Sequence, residues 1–225
     1  MKSILSYLSE LEQNNNREWY HANKQRLKEA TDEFEQLLQA LIIRIGKTDE
    51  SIIGLDPKTL TFKLVRDTRF SKDKSPYAAA FRAHIGPQGK LPIPVGHFIL
   101  LAPGDRSIIG GGLFASMFAE ATSMVRNAIA SNGDEFERII INKAFAEVFT
   151  VKGEALKKVP QGYDPAHPQA GYLKNKSWYI EYPVADAMLA DTDQFLADAE
   201  DICKRMQPFN RFLNKALAGF SMPSR

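Results

Sequence analysis

The chain has 225 residues, 44% of them hydrophobic and 25% charged, which is enough to bury one substantial core. Its formal charge of only +2 excludes the strongly basic domain that an extended nucleic-acid surface produces. A single cysteine, Cys203, rules out an internal disulfide and fits a reducing cytosol. No apolar run approaches the ~20 residues of a membrane helix, and Met1 to Gln13 lacks a continuous apolar region followed by a small-residue cleavage site. A soluble, cytoplasmic protein with no membrane partner is expected.

Ser3 to Gln13 sets Ile4, Leu5, Tyr7, Leu8 and Leu11 at helical spacing, and the Asn14-Asn15-Asn16 run ends it. Asn15, with Glu18 three residues on, reads as a capping box opening one long helix. Tyr20, Leu27, Ala30, Phe34, Leu37, Leu41 and Ile45 form its apolar stripe, and Gly46 is its stop. Trp19, Tyr20 and His21 are core material by spacing, whereas Glu18 is a carboxylate available to a distant arginine.

Thr59 to Asp67 alternates as a half-buried strand does, with Leu60, Phe62 and Leu64 on one face and Thr61, Lys63 and Asp67 on the other. Arg66 falls on the apolar face, where a guanidinium needs a carboxylate or an anionic ligand, because an unpaired buried charge costs several kcal/mol. The stretch from Asp67 to Tyr77 is a turn-rich loop, and Ala78 to Ile85 returns as a strand. Its alternation sets Ala80, Arg82 and His84 on one face. Between Thr61 and His84 six cations (Lys63, Arg66, Arg69, Lys72, Lys74, Arg82) face two carboxylates (Asp67, Asp73), a local excess of four. Arginines that grip two oxygens at once, with lysines and hydroxyls beside them, suit a small anion.

After the Gly86 to Lys90 loop and the proline-rich Leu91 to Pro94, two strands follow, Val95 to Ala102 and Ser107 to Phe114, joined by the Pro103-Gly104-Asp105-Arg106 turn. The hairpins together predict an antiparallel meander. Gly110-Gly111-Gly112 marks either a bulge or a close approach of another group, the bulge being favoured, and its spacing is not that of a dinucleotide fingerprint. Helices are predicted over Phe118 to Ile129, Asp134 to Ile141 and Lys143 to Phe149.

Val151 to Pro183 holds a long polar loop with Tyr163 and His167, then a short helix with Tyr172, Lys174 and Lys176, then a strand from Trp178. It nets two positive charges, and folded over the first hairpin it would complete one basic pocket. Asp191 to Phe220 reads as a helix capped by Thr192, broken or kinked at Pro208, and continued by an amphipathic piece covering the sheet. His21, His84, His97 and His167 are isolated, with no HxH, HxxxH or cysteine partner, so no metal is expected; no cofactor motif and no GxSxG appears.

The stretches NNNREWYHANK, RDTRFSKDKSPY, the Gly110 to Gly112 run, GYDPAHP and PFNRFLNKAL are distinctive, and in them the chain resembles the family called domain of unknown function 2461 from about Asn14 to Leu217. The resemblance implies a widespread soluble microbial protein built as one unit, and it brings no residue roles with it.

The expected fold is thus a single α+β domain over 1–225, a largely antiparallel meander of about 4–6 strands covered by long N- and C-terminal helices. Its segments are a helical start (1–50), strands (59–114), helices (115–150), a loop and strand (151–183) and closing helices (184–220). The expected function is binding of a small phosphate- or carboxylate-bearing ligand by Arg66, Arg69, Lys72, Lys74 and Tyr77, completed by Tyr163, Lys174 and Lys176. His84 or His167 would act as acid or base if a reaction occurs. Two alternatives are a module docking an acidic protein or RNA backbone, with nucleic acid disfavoured by the net charge, and a purely structural basic loop.

Overall fold

The computed structural model describes residues 1–223. Helix α1 (Lys2–Gln13) buries Ile4, Tyr7, Leu8 and Leu11. The single long helix expected next is two, α2 (Arg17–Ala22) and α3 (Lys24–Ile45). The break lies at Asn23, whose backbone N–H and side-chain amide both donate to the Trp19 carbonyl (3.0 and 2.9 Å). A short side chain that takes the helix's own acceptor offers the chain a way out of the helix. The cap of α2 is Asn16, accepting from the Trp19 N–H at 2.9 Å, which frees Asn15 for a different partner.

The stretch read as a strand from Thr59 departs further. Asp56 accepts from the Lys58 N–H and Pro57 takes the first helical position, so Pro57–Leu60 forms one turn, α4. A cap followed by proline outweighs the alternation beyond it. The rest of the stretch is an irregular ribbon with isolated bridges, Thr61 to Ala83 and Val65 to Tyr77.

Regular strands are β1 (Phe81–Ile85), β2 (His97–Leu101), β3 (Ser107–Leu113) and β4 (Trp178–Val184), all antiparallel in the order β1-β2-β3-β4. This four-strand sheet with helices on one face is an α+β fold. Phe81, Ile85, Ile99, Leu101, Ile109 and Ile180 point to the buried face. There α3 stacks Phe34 on Phe81 (5.3 Å between centroids), and α9 (Thr192–Ala216) packs on β3.

β3 pairs residue for residue with β4 from Ser107 to Leu113, so the glycine run holds no bulge. It is a place of close approach. A Cβ at Gly111 would lie 2.9 Å from the Asn210 amide oxygen and the Met206 sulfur of α9, and Gly112 holds φ +93°, a conformation that other residues rarely take. The other face of the sheet carries Arg82 opposite Leu100 and Phe98 opposite Gly110.

Beyond β3 lie α5 (Ala119–Ser131), α6 (Gly133–Ile140), α7 (Lys143–Ala146) and α8 (Ala170–Leu173). The buried Arg126 of α5 donates to the carbonyls of Leu173 (2.9 Å) and Asn175 (2.8 Å), fixing the end of α8 beneath the polar loop. Asp191, not Thr192, caps α9, accepting from the N–H groups of Asp193 and Gln194. Pro208 lies within an unbroken helix, with packing on both sides of it carrying the chain past the missing hydrogen bond. Among the described residues no helix is long and apolar enough to cross a membrane.

Candidate functional site

The ribbon from Thr61 to Ala80 is shaped by two aspartates. Asp67 accepts from the Arg69 N–H at 3.1 Å and Asp73 from the Ser75 N–H at 2.9 Å, two local turns that reverse the chain. Arg66 N–H to Pro76 O (2.9 Å) and Ala78 N–H to Leu64 O (2.7 Å) close the base.

At that base the turn between α1 and α2 meets the ribbon. Asn15 donates to the Tyr77 carbonyl (2.9 Å) and accepts from its N–H (3.1 Å), so one side chain takes both backbone groups of one residue. Tyr20 lies flat on Tyr77, centroids 3.9 Å apart. The two stretches with the most distinctive sequence therefore meet around a concavity of ≈ 420 Å³. Arg66, Asp73, Ser75 and Tyr77 line it from the ribbon, Glu12 and Asn15 from the helical turn, and Leu100 and Arg106 from the sheet.

Arg66 has a 27% exposed side chain. It is paired with Asp73 and donates to the Ser75 carbonyl (3.2 Å) and the Ser71 hydroxyl (3.4 Å). Glu18 is not its partner. The backbone and hydroxyl of Ser75, and after them the Arg66 guanidinium, hold the Asp73 carboxyl down to about 2, so Asp73 is ionised throughout the working range. Arg106 pairs with Glu12 at 2.6 Å and donates to the Pro103 carbonyl at 2.8 Å. Next to Arg66 on β1, Arg82 donates to the Lys63 carbonyl at 3.2 Å, and its Nε is buried with no partner. Burial and the neighbouring Arg66 both lower the hold of Arg82 on its proton, and among the described residues no carboxylate lies within ion-pair distance of it.

The other expected residues lie outside this cavity. Arg69 makes a two-point pair with Asp67 (2.6 and 3.0 Å), Lys74 donates to the Thr68 carbonyl (3.0 Å), and Lys72 is exposed. Phe70 at the tip is 96% exposed beneath the Arg69 guanidinium. Tyr163 donates to Asn127 (2.7 Å) and Lys176 pairs with Glu154, while Lys174, half-buried, sits just past the end of α8. The segment after Val151 rests on α5 and β4 and does not close over the hairpin.

Both expected acid–base histidines have their ring nitrogens engaged. His84 is buried, with Nδ1 at 3.2 Å from the Gly89 carbonyl and Nε2 accepting from the Gly96 N–H at 3.1 Å, and burial lowers its pKa. His167 has Nε2 at 3.2 Å from the Ala130 carbonyl and Nδ1 accepting from the Gln169 N–H at 3.0 Å. It lines a different concavity, ≈ 510 Å³, at the start of α6. Among the described residues no three metal-ligating side chains converge.

Two cavity residues escaped the sequence reading, Arg106 and Glu12. Each sits in an ordinary local context, a strand turn and a helix end, and only the docking of α1 beside the sheet brings them together. Arg82 counts among the six cations of the basic stretch and shares a face with His84, but alternation gives its side of the strand and not its lack of a carboxylate.

A family model described as a conserved hypothetical protein (DUF2461) matches residues 3–212 of the chain. The chain belongs to that family. No curated protein and no solved structure matches it.

Proposed function

We propose that this protein binds a small phosphate- or carboxylate-bearing ligand in the cavity between the 61–80 ribbon, the α1–α2 turn and the edge of the sheet. The supporting observation is the placement of three guanidiniums, with Arg66 and Arg106 in its wall and Arg82 beside Arg66, against only two carboxylates, Asp73 and Glu12. The third guanidinium meets the Lys63 carbonyl and the Phe62 ring but, among the described residues, no carboxylate. The ligand enters as a replacement for Asp73, whose exposed side chain sits on a turn and can swing outward while Arg66 stays held by Ser71 and Ser75. A planar guanidinium then meets two ligand oxygens, and Arg106 meets the ligand from the opposite wall.

No histidine lines this cavity, so the ligand is held rather than transformed by imidazole acid–base chemistry. The exposed Phe70 with Arg69, Lys72 and Lys74 at the ribbon tip favours, as a second reading, docking of that tip on an acidic protein surface. Calorimetric titration with inorganic phosphate separates the two. Pocket binding gives a one-to-one isotherm weakened about 10- to 100-fold in Arg66→Ala, the loss expected for hydrogen bonds to a charged group, and unchanged in Lys72→Ala. Equal loss in both variants, or no binding, contradicts it.

A further inference from the structure

A second concavity, ≈ 770 Å³, runs between α6, α7 and α9. Five cations rim it, Arg138, Lys204, Arg205, Arg211 and Lys215, against two carboxylates, Glu135 and Asp201. Both carboxylates are already committed, Glu135 to Lys215 at 3.3 Å and Asp201 to Arg205 at 2.6 Å. Three cations remain without one. Two of these are steadied by backbone, Arg138 through the Asp134 carbonyl and Arg211 through the Thr48 carbonyl, both at 3.2 Å, which leaves N–H groups free to donate. Between the charges the walls are apolar, with Ile139 of α6, Phe145 of α7, and Pro208 and Phe212 of α9.

An apolar floor under an excess of positive charge suits a molecule that is itself divided, with a hydrocarbon body and an anionic head. The volume lies in the range that small ligands fill, and four apolar side chains are too few for an amphipathic helix that presents anchors over several turns. We propose that this groove binds a free single-chain amphiphilic anion, its alkyl chain on Phe145 and Phe212 and its phosphate or carboxylate at Lys204 and Arg211. The site shares no residue with the Arg66 cavity, so the two readings stand or fall separately.

The probe is decyl phosphate, titrated calorimetrically below its micelle-forming concentration into the Arg66→Ala variant, whose ribbon cavity is disabled, with inorganic phosphate, neutral octyl glucoside and anionic vesicles as comparisons. The expected result is one-to-one binding of decyl phosphate, with inorganic phosphate at the groove and octyl glucoside each weaker by about tenfold or more, since each keeps only half the recognition. In that background, adding Lys204→Glu with Arg211→Glu, both exposed, should weaken decyl phosphate about tenfold at unchanged melting temperature. Intermolecular contacts in the NMR spectrum should reach the Phe145 and Phe212 rings. Failure of decyl phosphate to bind in the Arg66→Ala background, equal affinity for octyl glucoside, or binding to vesicles only would each overturn the proposal.

Discussion

The guanidinium of Arg66 can face Asp73 or an incoming anion, but not both in full. If the two compete, removing the charge of Asp73 while keeping its turn should help the ligand. Asp73→Asn retains an oxygen for the Ser75 N–H and is expected to tighten phosphate binding several-fold, whereas weakening alongside Arg66→Ala would show that Asp73 supports the site instead. The sign of the pH effect follows from the depressed pKa of Asp73. With the Asp73 carboxyl brought from 3.8 to about 2, the pair is complete above pH 3.8 and is lost as pH falls toward 2, which the NMR shift of the Arg66 side chain should follow. His97 behaves in the same sense at higher pH. Burial lowers it from 6.5 to about 4, so between those values the unfolded chain takes up a proton that the native one refuses, and stability falls as pH falls. That gap corresponds to roughly 3 kcal/mol, and in His97→Phe, which cannot titrate, the slope of melting temperature between pH 6.5 and 4 should flatten. That Arg66 takes an acid was legible in its charge and setting, although the strand whose alternation suggested it does not form. The acid's identity was not, because Glu18 and Asp73 are equally good acids on paper and only the turn at Ser75 aims one of them.

Elements were legible where one signal acted alone. The three strands β2, β3 and β4 and helix α1 follow from undisturbed periodicity, and their observed bounds lie within about two residues of the expected ones. The reading failed where two signals overlapped. Asp56-Pro57 starts a helical turn inside an alternating stretch, and Asn23 interrupts a stripe that is otherwise periodic. At Pro208 the opposite happened, since packing on Phe209, Phe212 and Leu213 keeps α9 continuous through a residue that usually ends helices. Its ring is exposed, so Pro208→Ala should restore one helical hydrogen bond and raise stability by about 1 kcal/mol, measured by denaturant unfolding. Where α9 meets the sheet, Gly111→Ala forces a methyl against Asn210 and Met206 and should cost about 1–3 kcal/mol. Asn15→Ala strips both backbone partners from Tyr77 and should cost a similar amount while loosening the ribbon that carries Arg66.

At the scale of the whole molecule, a formal charge of +2 conceals sorting. The positive excess gathers in the ribbon and along the α6–α7–α9 groove, and among the described residues eight of the other cations pair with carboxylates. A linear count finds the first cluster, since its cations are neighbours in sequence. It misses the second, whose cations come from Arg138 and, some seventy residues later, from one face of α9. It also misplaced the partner of the ribbon. Sequence pointed to the loop around His167, while the chain instead supplies Asn15, Glu12 and Arg106 from α1 and the β2–β3 turn. The most direct test of anion binding at Arg66 is a crystal structure of the protein grown in sulfate. Ordered sulfate bridging Arg66 and Arg106, with the Asp73 side chain turned away, is the expected outcome. Density showing Arg66 still paired with Asp73 and no anion between the two arginines would contradict it.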